Sequence, residues 1–170
     1  MPEERSRARA RRDKAQGKSA STQAGEFVRE EIEHVREGKH GARSSKQAIA
    51  IGLSKARRAG VGLPPPKRGT TSARTRKSAA RESARGKTEP NRAPSPRRSR
   101  AAQRALKREG TTAGTPAALS RQARSAAAKR SPGARSASAR AAVATKGPAQ
   151  RKAAARKAAK TRQRRASARA

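Results

Sequence analysis

Residues 21–66 read STQAGEFVREEIEHVREGKHGARSSKQAIAIGLSKARRAGVGLPPP and hold nine of the thirteen Val, Ile, Leu, Met and Phe residues of the chain. Burial of such side chains provides most of the favourable free energy of folding. Only this part of the 170-residue chain therefore carries enough large apolar surface to form a packed core. We expect the fold to be organised around it.

A first helix is predicted over residues 22–37. Ser21 or Thr22 can accept hydrogen bonds from the free amides of its first turn, and Gly38 can adopt the left-handed conformation that ends a helix. Glu31 is the one acidic residue on the apolar stripe of this helix. The apolar members of the stripe, at helical spacing, are Ala24, Phe27, Val28, Ile32 and Val35.

A second helix is predicted over residues 45–59. Ser44 and Gln47 stand three apart, as in a capping box, and the consecutive prolines after Leu63 prevent continuation. Residues 48–53 also alternate as a strand does, with β-branched residues on one side. The caps and the surrounding Ala, Lys, Gln and Arg residues favour the helix.

The two segments predict a small all-α helical hairpin. On its second helix Ile51 lies about 200° round the axis from Ile49, so one partner helix cannot cover both. A two-helix unit with nine large apolar side chains is also only marginally stable. We therefore expect the hairpin to need a partner, and a homodimer of hairpins is one solution. The expected core contains Phe27, Val28, Ile32, Val35, Ile49 and Leu53.

Forty-six Lys and Arg residues against eleven Asp and Glu residues give the chain a formal net charge of +35. Residues 20–66 contain eight basic and five acidic residues, whereas residues 110–170 contain no acidic residue, so the excess lies outside the hairpin. The acids of the first helix can pair with the basic second helix or compete with a polyanion for the rest of the chain. A chain this basic indicates a polyanionic partner.

Three segments are expected, of which the hairpin domain at residues 20–66 is the second. Residues 1–19 form a basic N-terminal arm, since a helix there is polar on every face and could bury nothing. Residues 67–170 are rich in Lys, Arg, Ala and Ser, so we expect a disordered tail in which phosphates can induce a helix at about 149–168. The expected fold class is thus a mostly disordered basic chain with one small helical hairpin.

The sequence Ser95-Pro96-Arg97-Arg98 resembles the Ser-Pro-basic-basic turns of linker-histone tails, which project two guanidinium groups toward a narrow minor groove. An incidental Ser-Pro pair in a basic tail is the alternative. The Ala- and Lys-rich end of the chain is similar to linker-histone and histone-like tails in composition only. The residues expected to contact nucleic acid are Arg97, Arg98, Lys129, Arg130, Arg151, Lys152, Arg156, Lys157, Lys160, Arg162, Arg164 and Arg165.

Residues 21–32, 38–44 and 47–60 read STQAGEFVREEI, GKHGARS and QAIAIGLSKARRAG. Together they resemble a small bacterial domain family of unknown function, over about residues 21–66. Members of that family are often labelled as DNA-binding proteins. The resemblance implies a bacterial setting and DNA as a partner, and it implies no catalytic residues.

Several functional classes lack their residues in this sequence. Without cysteine there is no disulfide framework, thiolate nucleophile or cysteine-ligated zinc site. His34 and His40 could reach one metal ion only if the turn between them folds back, so no metal site is expected. No glycine-rich phosphate loop or activated serine is evident, so we expect neither an enzyme nor a cofactor. No apolar run reaches membrane-span length and no signal peptide is evident, which favours the cytoplasm.

These observations predict a sequence-nonspecific DNA-binding protein of the histone-like, nucleoid-associated kind, whose cations neutralise phosphates without reading bases. RNA or the ribosome is an alternative partner, although one Phe and no Tyr or Trp leave little for base stacking. A hairpin that docks another protein onto nucleic acid is a further alternative. A membrane partner is not expected, because the basic segments have almost no Leu, Phe or Trp to insert.

Overall fold

The computed structural model describes residues 4–90, 92–93 and 95–168, except for the side chains of Thr145, Lys146 and Arg165. Over those residues the chain is helical, without strands. It divides into two compact units, unit 1 (Met1–Gln122) and unit 2 (Ala123–Ala170). The helices are α1 (Glu4–Ala15), α2 (Ala20–Arg36), α3 (Ser45–Arg58), α4 (Ala73–Thr88), α5 (Pro96–Lys107), a 3-10 turn (Thr112–Gly114), α6 (Pro116–Ala128) and α7 (Pro132–Ser167).

The expected fold class, a mostly disordered basic chain with one helical hairpin, is wrong, because most of residues 67–170 is helical as well. The low content of large apolar residues led to the wrong prediction of disorder, because a helix can form from helix propensity and end caps without a core of its own. Alanine supplies the propensity. The side chain of Ser72 accepts from Thr75 N at 3.1 Å, and that of Ser131 accepts from Ala134 N at 3.2 Å.

Helices α2 and α3 occupy the two segments expected to be helical, and residues 48–53 lie within α3. The N-terminal cap of α2 differs from the expectation, because Ser19 rather than Ser21 or Thr22 accepts the hydrogen bond of the first turn, from Thr22 N at 3.3 Å. The side chain of Ser44 caps α3 through Gln47 N at 3.2 Å. Gly38, with a φ of +70°, ends α2 as expected.

A close backbone approach joins α2 to α3. A Cβ atom built on Gly52 would stand 2.6 Å from Val28 Cα, so only glycine permits this contact. Around it the buried core consists mainly of alanines together with Phe27 and Val35, which are 1% and 0% exposed. Small side chains let the helices pack closely, which is why the other expected core residues are only partly enclosed. Those half-buried residues are Val28, Ile32, Ile49 and Leu53.

Helix α1 is not a free arm, and the expectation that it could bury nothing is wrong. Ala10 is 5% exposed and belongs to the apolar cluster around Phe27. Asp13 is also buried, and Lys18 Nζ lies 2.7 Å from its Oδ1. Small side chains such as Ser6 and Ala10 are enough to pack a polar helix, because long cationic side chains extend past them to solvent.

Helix α4 packs on α3, although it lies in the segment expected to be disordered. A Cβ built on Gly86 would stand 1.9 Å from the carbonyl oxygen of Arg57, and Ala79 is 5% exposed. Ser54 Oγ donates to Glu82 Oε1 at 2.6 Å, and Ser83 Oγ donates to the Leu63 carbonyl at 2.9 Å. The chain thus supplies its own cover for one side of the hairpin.

The segment from Leu106 to Gly114 packs on the turn between α2 and α3. Gly41 N donates to the Leu106 carbonyl and Ala42 N to the Gly110 carbonyl, both at 3.0 Å. Ser45 Oγ donates to the Ala113 carbonyl at 2.6 Å, and Ala113 is buried against Val35. These contacts link residues about seventy positions apart and fix the turn in place.

The described residues of unit 2 form no core. All of its described side chains are exposed, including that of Val143 at 46%. Among its described residues only Gly147, which has no side chain, is half-buried. Helix α7 is broken at Gly147, whose φ of +66° and ψ of 168° are not helical, and Pro148 starts the next helical stretch. None of the helices in the described part of the chain combines the length and the apolar character that a bilayer crossing requires.

Candidate functional site

The basic residues of unit 2 have no acidic neighbour in their own unit. Residues 123–170 contain fifteen Lys and Arg residues and no Asp or Glu. The side chain of Arg165 lies outside the described part of the chain. The other residues expected there to contact nucleic acid are all exposed: Lys129, Arg130, Arg151, Lys152, Arg156, Lys157, Lys160, Arg162 and Arg164.

A line of cations runs along the second stretch of α7. Lys152, Arg156, Lys160 and Arg164 stand four residues apart, so each lies about 6 Å further along the axis and about 40° further round it than the one before. The line is about 18 Å long, which matches the axial span of about five phosphates on one strand of B-DNA. Repulsion within this line destabilises the free helix, and phosphates would relieve it.

Arg97 and Arg98 lie in the first turn of α5 rather than in an isolated Ser-Pro turn. Pro96 occupies the start of the helix, and the Ser95 side chain makes no capping hydrogen bond. Both arginines are exposed. Cations at a helix N-terminus face the positive end of the helix dipole, so this turn too is stabilised by an external anion.

In unit 1 the acids of α2 pair within the protein. Glu26 Oε2 lies 2.5 Å from Arg29 and 3.5 Å from Arg9 of α1, while Glu30 Oε1 lies 3.2 Å from Lys55 of α3. These contacts favour the intramolecular alternative for the acidic flank. Elsewhere in the unit, the hydrogen bond from Arg92 lowers the pKa of Glu89 and raises that of the arginine.

A cavity of about 260 Å³ opens beside α1. Its floor includes Phe27 and Val61, and three cations of α1 stand along its side. Glu4 partly neutralises two of these cations, and the hydrogen bond from Arg11 at 2.6 Å lowers the pKa of Glu4. The three cations are Arg7, Arg11 and Lys14.

A second group of polar side chains lies where α2 meets the following turn. Glu31, His34 and His40 each offer one ligand atom, and these atoms lie within 4.8 Å of one another. The two imidazole rings meet edge to face, with centroids 6.0 Å apart and an interplanar angle of 85°. The turn between the histidines therefore does fold back, which was the condition for a shared metal ion.

Glu31 is the buried acid of this group. Its carboxylate is 1% exposed, and neither oxygen accepts a well-directed hydrogen bond. Oε1 lies 3.3 Å from His40 Nε2, and Oε2 lies 2.7 Å from Lys55 Nζ. The sequence carries two signals for this group, an acid on the apolar stripe of α2 and a histidine three residues after it.

Comparison with known proteins identifies part of the chain. Residues 11–68 match the model of a family of unknown function, DUF6496. That match includes α2, α3 and the end of α1, and so it contains Glu31, His34, His40 and Lys55. No curated protein and no solved structure matches the chain.

Proposed function

We propose that this protein binds nucleic acid without sequence specificity, with duplex DNA as its main ligand. The carrying observation is the charge of unit 2, whose sequence holds fifteen cations and no acids and whose described basic side chains are all exposed. Counterions for these side chains must come from outside the unit. A phosphate backbone is the polyanion that supplies them at high density.

Binding would draw its free energy from counterion release. Each phosphate that a Lys or Arg neutralises frees a condensed cation, and this gain does not depend on the base sequence. A helix such as α7 places its cations at regular intervals before binding, so less conformational entropy is lost on contact. Phosphates then remove the repulsion within the line from Lys152 to Arg164.

Low sequence specificity follows from how the cations are distributed round α7. Relative to Lys152, the residues Lys157 and Arg162 lie about 140° and about 280° further round the axis. Base recognition needs several hydrogen-bonding side chains on the one face that enters a groove. Cations on all sides, separated mostly by alanine, support phosphate contact instead.

The finer assignment is a histone-like, nucleoid-associated protein of a bacterial cytoplasm. It is supported by the resemblance of about residues 21–66 to a bacterial family of unknown function, whose members are often labelled as DNA-binding, and by the composition of the C-terminal half. Self-association through the hairpin stays a prediction, which sedimentation of the full chain at rising concentration tests.

The deciding experiment measures the affinity of the full-length protein for natural and scrambled duplexes across a range of salt concentrations. We expect equal affinities and a log–log slope whose magnitude exceeds about 6, which corresponds to at least seven phosphate contacts. A slope near zero, or a hundredfold preference for one sequence, would contradict the proposal. Parallel DNase and RNase treatment of the complex isolated from cells identifies the natural ligand; complexes lost only to RNase would make RNA the partner.

A further inference from the structure

We propose that Glu31, His34 and His40 form a binding site for one divalent transition-metal ion of the Zn²⁺ class. Their ligand atoms lie within 4.8 Å of one another. Ligand atoms of a tetrahedral zinc site stand about 3.4 Å apart, because Zn–N and Zn–O distances are about 2.1 Å. Glu31 Oε1 and His40 Nε2, 3.3 Å apart, are already at that separation. The ligand nitrogen of His34 lies within 4.8 Å of both atoms and would be the third ligand.

The hydrogen bond of His40 determines which of its nitrogens faces the carboxylate as a base. Nδ1 lies 3.1 Å from the carbonyl oxygen of Gly41, and because a carbonyl can only accept, Nδ1 carries the proton. In the neutral ring Nε2 then presents a lone pair toward Glu31 Oε1. At 3.3 Å the two atoms can share a cation, either a proton on Nε2 or a metal ion that both ligate. A backbone carbonyl that fixes the opposite nitrogen is also the usual support of a metal-bound histidine.

The position of Lys55 leaves one oxygen of Glu31 for the metal ion. Lys55 Nζ lies 2.7 Å from Oε2, on the other side of the carboxylate from His40. Oε1 accepts no hydrogen bond, although the carboxylate is 1% exposed. A buried carboxylate oxygen without a donor is costly, and a bound cation removes that cost. Lys55 would orient the carboxylate of Glu31 and would leave Oε1 to the metal ion.

Local structure delivers the third ligand. Glu31 and His34 are three apart on α2 and therefore share a face of the helix. The chain then reverses at Gly38, with a φ of +70°, and Lys39 N donates to the His34 carbonyl at 3.0 Å. His40 remains 17% exposed, which provides an entry path and room for a water molecule as a further ligand.

Metal binding here would stabilise unit 1. The ion would join α2 to the turn whose residues Gly41 and Ala42 donate backbone hydrogen bonds to the carbonyls of Leu106 and Gly110. An ion that binds only the folded state raises stability in proportion to the logarithm of its concentration. At a hundredfold excess over the dissociation constant we expect the Tm of unit 1 to rise by about 5–10 °C.

The test uses the full-length protein, freed of metal by a chelator, with Zn²⁺ as the probe. The chain contains two histidines, so nitrogen NMR of the imidazoles reports on this site alone. We expect one Zn²⁺ per chain by calorimetry, with both imidazole signals shifting in the same step. Titration with Co²⁺ should produce visible absorption bands of a nitrogen- and oxygen-ligated ion.

Two variants and a control separate binding from folding. His34→Ala and Glu31→Gln should each weaken Zn²⁺ binding by about a hundredfold, since even supporting residues of metal sites cost tenfold to a hundredfold. The matched control is Glu33→Gln, an acid of the same helix that is 54% exposed, and it should bind Zn²⁺ as the parent does. His34 is half-buried, so circular dichroism of its alanine variant should show an intact fold.

Two results would overturn the proposal. One is an affinity of the folded His34→Ala variant within threefold of the parent. The other is a Zn²⁺ titration that leaves either imidazole signal unmoved. In both cases the three residues would not share a metal ion.

Discussion

Unit 1 and unit 2 are both helical, yet they hold their helices by different means. In unit 1 the helices pack on Phe27, Val35 and a set of buried alanines, and all eleven acidic residues of the chain lie there. In unit 2 the described side chains are exposed and the charges are all positive. Helix formation and core formation are therefore separate events in this protein. A helix needs only local propensity and caps, whereas a core also needs distant segments that fit.

The largest difference between the units should appear in binding. Changing Lys152, Arg156, Lys160 and Arg164 together to Gln removes four phosphate contacts. Affinity for duplex DNA should fall by about a thousandfold at physiological salt, and the magnitude of the log–log slope should fall by about 3–4. Fluorescence anisotropy across a salt series measures both quantities.

The control for this variant replaces cations of unit 1 that already have acidic partners. Arg29 lies 2.5 Å from Glu26, and Lys39 lies 2.9 Å from Glu37. Changing both to Gln should leave DNA affinity within about threefold, because paired cations release few counterions. Equal losses in the two variants would mean that the units do not differ in this way.

The two units should also differ in how much stability they lose when an apolar side chain is truncated. Phe27→Ala removes a side chain that is 1% exposed and should lower the free energy of unfolding of unit 1 by about 3–5 kcal/mol. Val143→Ala removes one that is 46% exposed in unit 2 and should cost less than about 0.5 kcal/mol. Denaturant titration, followed by circular dichroism, measures both. A loss at Val143 as large as that at Phe27 would reveal a core in unit 2.

A smaller effect is expected from the backbone contact between α2 and α3. In Gly52→Ala the new Cβ meets Val28 Cα at 2.6 Å, so the helices must separate, and unit 1 should lose about 2 kcal/mol. Gly25→Ala is the matched control on α2. Nothing lies within 4 Å of its Cβ, so alanine should stabilise the helix by up to about 1 kcal/mol. In thermal unfolding we expect Gly52→Ala to lower the Tm and Gly25→Ala to raise it.

The smallest effect concerns caps. Ser131 accepts from Ala134 N at 3.2 Å and begins α7, so Ser131→Ala should reduce local helix stability by about 1 kcal/mol. Ser95 precedes α5 without such a hydrogen bond, and Ser95→Ala should change it by less than about 0.3 kcal/mol. Amide chemical shifts of the first turn report both changes. Equal shifts would show that the cap contributes nothing in unit 2.

Sequence reasoning worked where the signals are local. The segment of α3 followed from its Ser44 cap and that of α2 from helical spacing and Gly38, although the N-cap of α2 is Ser19 and not the expected Ser21 or Thr22. It failed for the arm and the tail, since their contacts use Ala10, Ala79 and Gly86, whose small side chains carry almost no apolar signal. In the site it recognised His34 and His40 but treated Glu31 only as an irregularity of the stripe.

The sequence by itself determined where the hairpin helices form and where the charge accumulates, because both depend on residue type and short spacing. Only the tertiary structure decided what covers the hairpin. Gly41 meets the backbone near Glu109, and Gly86 meets that of Arg57, across long stretches of chain. It also decided that Oε1 of Glu31 faces His40, since one turn at Gly38 brings the ring back to the helix. Backbone contacts of this kind depend on shape, and no residue pattern along the chain encodes them directly.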